Sequence, residues 1–104
     1  MADLTLISRI PNVASAVLGD LSGGFFDAVR EADGEAVAAV AGFLSTNLAE
    51  AGDRLGLGPL GRVSLSGERR ATVILLQGGS VVAASVDPVA ALPAVERALD
   101  ASRG

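Results

Sequence analysis

The chain has 104 residues, half of them apolar, and twelve acids against eight bases for a net charge of −4. That length suits a single domain over residues 1–104, which buries roughly two thirds of its unfolded surface on folding. Cys, His, Tyr and Trp are absent, and every base is an arginine. Without Cys there is no disulfide framework, thiolate metal site or thiol nucleophile. Without His the commonest neutral-pH general base and metal ligand is missing. No basic run exceeds Arg69-Arg70, so a phosphate-binding face is not legible and nucleic acid is excluded as a partner. No apolar run approaches the ~20 residues that cross a bilayer, so no membrane insertion is expected. Met1-Ala2-Asp3-Leu4 lacks a basic n-region and Ser102-Arg103-Gly104 lacks a prenylation signal, which makes the cytoplasm the expected compartment.

Residues 4–10 read as one or two helical turns, stopped by Pro11 because the residue before proline avoids the α region. Residues 13–18 and 25–30 read as two strands of a hairpin, with Asp20-Leu21-Ser22-Gly23-Gly24 as the turn between them. From 35 to 55 the period becomes helical. Val37, Val40, Ala41, Leu44, Leu48, Ala51 and Leu55 form one stripe, predicted to face a sheet. Asp33 is placed to cap that helix and Gly56 or Gly58 to end it. Three strands follow, at 62–66, 71–76 and 81–86, the first alternating as an edge strand does and the others apolar on both faces. A last helix begins near Leu92 with Pro93 in its first turn. The order α-β-β-α-β-β-β-α predicts a three-layer α/β/α sandwich, with thin helical cover for two sheet faces.

Three letter patterns invite chemistry and do not support it. Gly56-Leu57-Gly58-Pro59-Leu60-Gly61 spells G-x-G-x-x-G, but a dinucleotide loop needs a strand before it and a helix after it, the reverse of this order. Ser22 lies in a Gly/Ser turn with neither nucleophile-elbow spacing nor a His partner. Asp27, Asp33 and Glu35 lack the alternating oxygen ligands of a calcium loop. No catalytic residue, cofactor or metal is nominated, and a small-ligand sensor is disfavoured by the scarcity of aromatics and convergent polar groups. The long helix is more informative. Ala36, Phe43, Asn47, Glu50 and Arg54 lie to one side of its Val/Leu stripe, and Ala38, Gly42, Ser45 and Ala49 to the other. Phe43 beside a ridge of small residues points to self-association, one face on the sheet and the next on a second copy.

The pattern resembles the Roadblock/dynein light chain family in three segments. These are Pro11-Asn12-Val13-Ala14-Ser15-Ala16-Val17 with Asp20 and Gly23, the Ala-rich helix running into Leu55-Gly56-Leu57-Gly58-Pro59-Leu60 and Val63-Ser64-Leu65-Ser66-Gly67, and Val81-Val82-Ala83-Ala84-Ser85-Val86-Asp87 before Leu92, Val95, Arg97 and Leu99. The resemblance implies the profilin-like roadblock fold, a mostly antiparallel five-stranded sheet of order 2-1-5-4-3. The long helix would cover one face and the terminal helices the other. It also implies a homodimer with antiparallel long helices and paired third strands. The interface would hold Ala36, Phe43, Asn47, Glu50 and Arg54 from the helix, with Arg62, Val63, Ser64, Leu65 and Ser66 from the strand.

Members of that family are non-enzymatic platforms, often for Ras-like small GTPases, and some stimulate GTP hydrolysis by the partner. The expected function is therefore a dimeric adaptor or regulator in polarity, motility or signalling. The alternative is an assembly scaffold that binds a sibling roadblock protein or a response-regulator segment without GTPase contact. Phe25, Phe26 and Asp27 are the expected docking residues, by β-augmentation or pocket filling, together with Arg30. Arg30, Arg54 and Arg62 are the arginines that could assist a GTPase. The first helix is shorter than is usual in the family, which leaves room for a groove that takes a partner segment on its side of the sheet.

Overall fold

A computed structural model describes residues 4–102; the readings made on Met1-Ala2-Asp3 and on Arg103-Gly104 lie outside the described residues. In chain order the elements are α1 (Leu4–Ser8), β1 (Val13–Asp20), β2 (Phe25–Val29), α2 (Gly34–Arg54), β3 (Arg62–Ser66), β4 (Ala71–Gln77) and β5 (Ser80–Val86). A 3-10 turn at Val89–Ala91 then leads into α3 (Leu92–Ser102). The sheet order is β2-β1-β5-β4-β3, as the resemblance implied, and every neighbouring pair is antiparallel. α1 ends two residues earlier than expected, where Ser8 Oγ turns back to donate to the Thr5 carbonyl.

Strand alternation sends the two halves of each strand's side chains to opposite cores. Val73 and Leu75 of β4, with Val82, Ala84 and Val86 of β5, pack under Leu4 and Ile7 of α1 and under Val95 and Leu99 of α3. On the other face Ile74, Val81 and Ala83 meet Ala41 of α2, with Val37, Leu44, Val63 and Leu76 partly buried around them. That second core is smaller, because one helix must serve a five-stranded sheet. A helix is about 10 Å across and strands are spaced about 4.8 Å apart, so it shelters about two or three of them. α2 lies over β2, β1 and β5 and reaches little of β4.

The face that α2 turns to the sheet is not the expected one. Ala38, Ala41, Gly42 and Ser45 are buried there, whereas Val40, Ala51 and Leu55 of the Val/Leu stripe are exposed and Val37, Leu44 and Leu48 only half-buried. The small-residue ridge does permit a close backbone approach, but to the β1–β2 hairpin of its own chain. A Cβ on Gly42 would stand 2.7 Å from the Gly23 nitrogen and 2.8 Å from the Asp20 carbonyl oxygen. Ala38 lies beneath Gly19 in the same contact. Only small residues let a helix settle this low, and the larger ones are displaced around its circumference.

The helix ends follow local rules in part. Gly56, at φ +75, closes the C-terminus: its N–H donates to the Asp53 carbonyl and that of Leu57 to the Gly52 carbonyl, the paired pattern of a Schellman cap. Asp33 occupies the N-cap position, but its side chain makes no capping bond. The Asp33 N–H is instead held by the Glu31 carboxylate at 3.1 Å. The G-x-G-x-x-G letters thus belong to a helix stop and the loop that leads into β3.

Candidate functional site

Because α2 sits over the β2 side of the sheet, the same face of β3 and β4 is left open. An apolar groove of about 370 Å³ results, walled by Ala36, Val37, Val40, Ala41 and Leu44 of α2 and floored by Leu65, Thr72, Ile74 and Ala83. Leu65 pairs with Thr72 and Val63 with Ile74, so both β3 residues lie on this face of the sheet, Leu65 in the groove floor and Val63 against the core beside it. Val40 is 58 % exposed and Leu65 43 % exposed, a large cost for apolar side chains of a lone chain. This groove lies on the α2 face of the sheet.

The expected interface residues fall into three settings. Ala36, Phe43, Asn47, Glu50 and Arg54 are all exposed along α2, with Ala36 in the groove wall and Phe43, 70 % exposed, one step round from it. Asn47 donates to the Phe43 carbonyl at 2.8 Å, and Arg54 pairs with Glu50 at 3.1 Å. Val63 and Leu65 lie on the groove face of the sheet, Leu65 in the groove floor. Ser64 and Ser66 pair with Val73 and Ala71, which places them towards the opposite face. Arg62 also points away from the groove, to an ion pair with Asp100 of α3 at 2.7 Å. β3 is the terminal strand of the sheet, with a backbone edge that no strand among the described residues pairs.

At the other edge, Phe25 packs its ring against Gly34 at the start of α2, while Phe26 is 59 % exposed. The β1–β2 register shifts here, and two residues of β2 are spent against one of β1. Asp27 accepts the Ala28 N–H at 2.8 Å with its own carboxylate. Strand addition at this edge therefore has to displace Asp27. Arg30, at φ +58, wraps back over the start of β1. Its guanidinium donates to the Ser8, Ala14 and Val13 carbonyls at 2.6, 2.9 and 3.0 Å. That side chain holds α1 to the sheet.

The β1–β2 turn between these features is built by Asp20. Its Oδ1 accepts from Ser22 Oγ at 2.7 Å, from the Gly24 N–H at 2.8 Å and from the Ser22 N–H at 3.0 Å. The Ser22 hydroxyl first, and the Gly24 amide next, hold the Asp20 carboxyl below its ordinary value. Ser22 thus serves the turn as a donor. The groove residues Val37, Val40, Leu44, Thr72 and Ile74 were not singled out as a site from sequence. Their signal was indirect: β4 is apolar on both faces in a chain with only one long helix.

No protein-family model and no curated protein matches the chain. Solved structures do. A Roadblock/LC7 domain from Streptomyces avermitilis superposes with a TM-score of 0.73 at 23% identity, covering 80% of this chain and 72% of that one. The gliding protein MglB of Thermus thermophilus gives 0.74 at 13% identity, with 90% and 77% covered. A structure described as MglB with tetrameric arrangement gives 0.71 at 14% identity, with 81% and 67% covered. The chain has the roadblock fold.

Proposed function

We propose that two copies of this chain form a roadblock-type docking platform for a Ras-like small GTPase or its signalling complex. The observation that carries the reading is the open groove beside α2. A second α2, laid antiparallel to the first at the usual 8–10 Å separation, covers the uncovered half of the sheet in each copy. Pairing β3 with its copy across the two-fold brings that helix into place and joins the sheets into one of ten strands. Val40, Leu44 and Leu65 leave water together in this arrangement, and Phe43 lies at the seam. Likeness to a structure described as MglB with tetrameric arrangement supports self-association of this fold.

The platform is non-enzymatic and acts in the cytoplasm by surface docking. Any effect on GTP hydrolysis comes from positioning the partner's own groups or from one arginine. Of the three candidates, Arg54 gives up least: it pairs with Glu50 and both side chains are largely exposed, a pairing worth about 0.5 kcal/mol or less. Arg30 would abandon three backbone carbonyls. Among the described residues no helix is long and apolar enough to cross a membrane.

Light scattering on the wild type and on Val40→Asp tests the platform. A mass of two copies that falls to one in a folded variant is the expected result, and a wild-type single copy overturns the dimer. Pull-down with GTP- and GDP-loaded Ras-like GTPase then tests the docking step. A dimer that retains neither form favours the scaffold function, with a sibling roadblock chain as the occupant.

A further inference from the structure

A sheet with two free edges is a template for unlimited growth, and a protein that pairs one edge has to close the other. We propose that this sheet is built to extend at β3 only, and that Asp27 closes its β2 edge against a second copy of the chain. The proposal rests on the dimer reading for the use made of β3, but its evidence lies at the opposite edge.

Three features act together on β2. Asp27 Oδ1 takes the Ala28 N–H at 2.8 Å, which occupies a donor that an incoming strand needs. Its carboxylate is exposed in the middle of a five-residue strand, so two copies of β2 laid antiparallel bring like charges together. The register shift at Phe26 is the second feature. Leu18 pairs with Asp27 and Gly19 with Phe25, so a straight partner strand cannot match the amides on both sides of the extra residue. The third is Arg30. Its backbone leaves the sheet at φ +58, and its guanidinium takes the Ala14 and Val13 carbonyls of β1, so β2 ends at Val29.

β3 has the same length and none of these devices. Its register with β4 is unbroken from Arg62 to Ser66. Ser64, Leu65 and Ser66 are exposed and uncharged, and the one charge on the strand, Arg62, is turned to Asp100 of α3. The apolar groove runs up to this edge through Leu65. The two edges are therefore unequal in the sense that makes a closed pair, not a filament.

The test is light scattering over a concentration series for the full chain, its Asp27→Val variant and its Asp27→Asn variant, with circular dichroism as the folding control. Asparagine keeps an acceptor for the Ala28 N–H, and valine does not. The expected result is an Asp27→Val mass that climbs with concentration to about twofold the wild-type value or more, with Asp27→Asn between it and the wild type because asparagine keeps the acceptor and loses the charge. Should valine prevent folding, Asp27→Ala replaces it. The proposal is overturned if Asp27→Val, or Asp27→Ala in its place, keeps the wild-type mass across the concentration series. A wild type of one copy sinks the dimer reading alone, because the uncapped edge then still doubles the mass.

Discussion

Gly42 of α2 lies against Gly23 of the β1–β2 turn so closely that a Cβ on Gly42 would stand 2.7 Å from the Gly23 nitrogen and 2.9 Å from its Cα. Those neighbours are backbone and cannot rotate away. Replacing a helical glycine by alanine ordinarily gains about 1 kcal/mol in helix propensity. Here overpacking against a fixed turn costs about 1–3 kcal/mol and prevails. Gly42→Ala is expected to lower Tm. Gly52→Ala is the matched control, since a Cβ there meets only Leu60 Cδ1 at 3.8 Å and the Gly58 carbonyl oxygen at 4.0 Å. It should raise stability by about 0.5–1 kcal/mol. Thermal melts of the two variants with the same sign contradict the close approach.

That contact also explains what the sequence could and could not tell. The succession of elements, the hairpin turns, the extent of α2 and its glycine stop were legible because they depend on local periodicity and turn chemistry, whereas the order of strands in the sheet came only through the family resemblance. The face that α2 turns to the sheet was not. Size and hydrophobicity favour Val37, Val40 and Leu44 for the core, and periodicity cannot distinguish two adjacent stripes on one helix. The deciding fact is tertiary: Gly19, Gly23 and Gly42 come together only after the hairpin folds under the helix. Once they do, the larger side chains are left over the β3–β4 side, where they create the groove. Ala36, Phe43 and Asn47 lie on the exposed side of α2 under either orientation. The Asp27 cap and the Arg30 clamp depend on side-chain geometry that no spacing rule encodes.

Ser45 tests the same helix face from within. It is fully buried and its hydroxyl has no hydrogen-bond partner among the described residues. Leaving a buried polar group unsatisfied costs about 1–3 kcal/mol, and alanine removes the hydroxyl while also favouring the helix. Ser45→Ala should therefore stabilise the chain by about 1 kcal/mol, which raises Tm by about 4–8 °C in a domain of this size. A lower Tm would show that the hydroxyl has found a partner after all.

Arg30 and Arg54 should separate cleanly by stability. Arg30→Ala removes three bonds to backbone carbonyls that tie α1 to β1. A hydrogen bond from a charged donor contributes about 1.5–3 kcal/mol when shielded from water; Arg30 is exposed and its bonds are at most part-buried, so the loss should be about 1–2 kcal/mol in all. Arg54→Ala loses an exposed helix pair and should change stability by less than about 0.5 kcal/mol. Denaturant titration of both variants checks the contrast. If Arg30→Ala melts with the wild type, the clamp has no energetic weight and Arg30 returns as a free docking residue.

Asp20 predicts how stability depends on pH. The Ser22 hydroxyl and the Gly24 amide hold its carboxyl below the ordinary value of 3.8 in the folded chain. The unfolded chain therefore takes up the proton first as pH falls. The stabilisation is complete above the unfolded value and is lost as pH drops through the lower folded value. Asp20→Asn keeps an acceptor in the turn but carries no charge, so it should be less stable than the wild type at neutral pH. The gap between the two melting temperatures should hold down to about pH 5 and close below about pH 4. A gap that stays constant across that window would mean that the turn is held by shape alone, with the ionised carboxylate adding nothing.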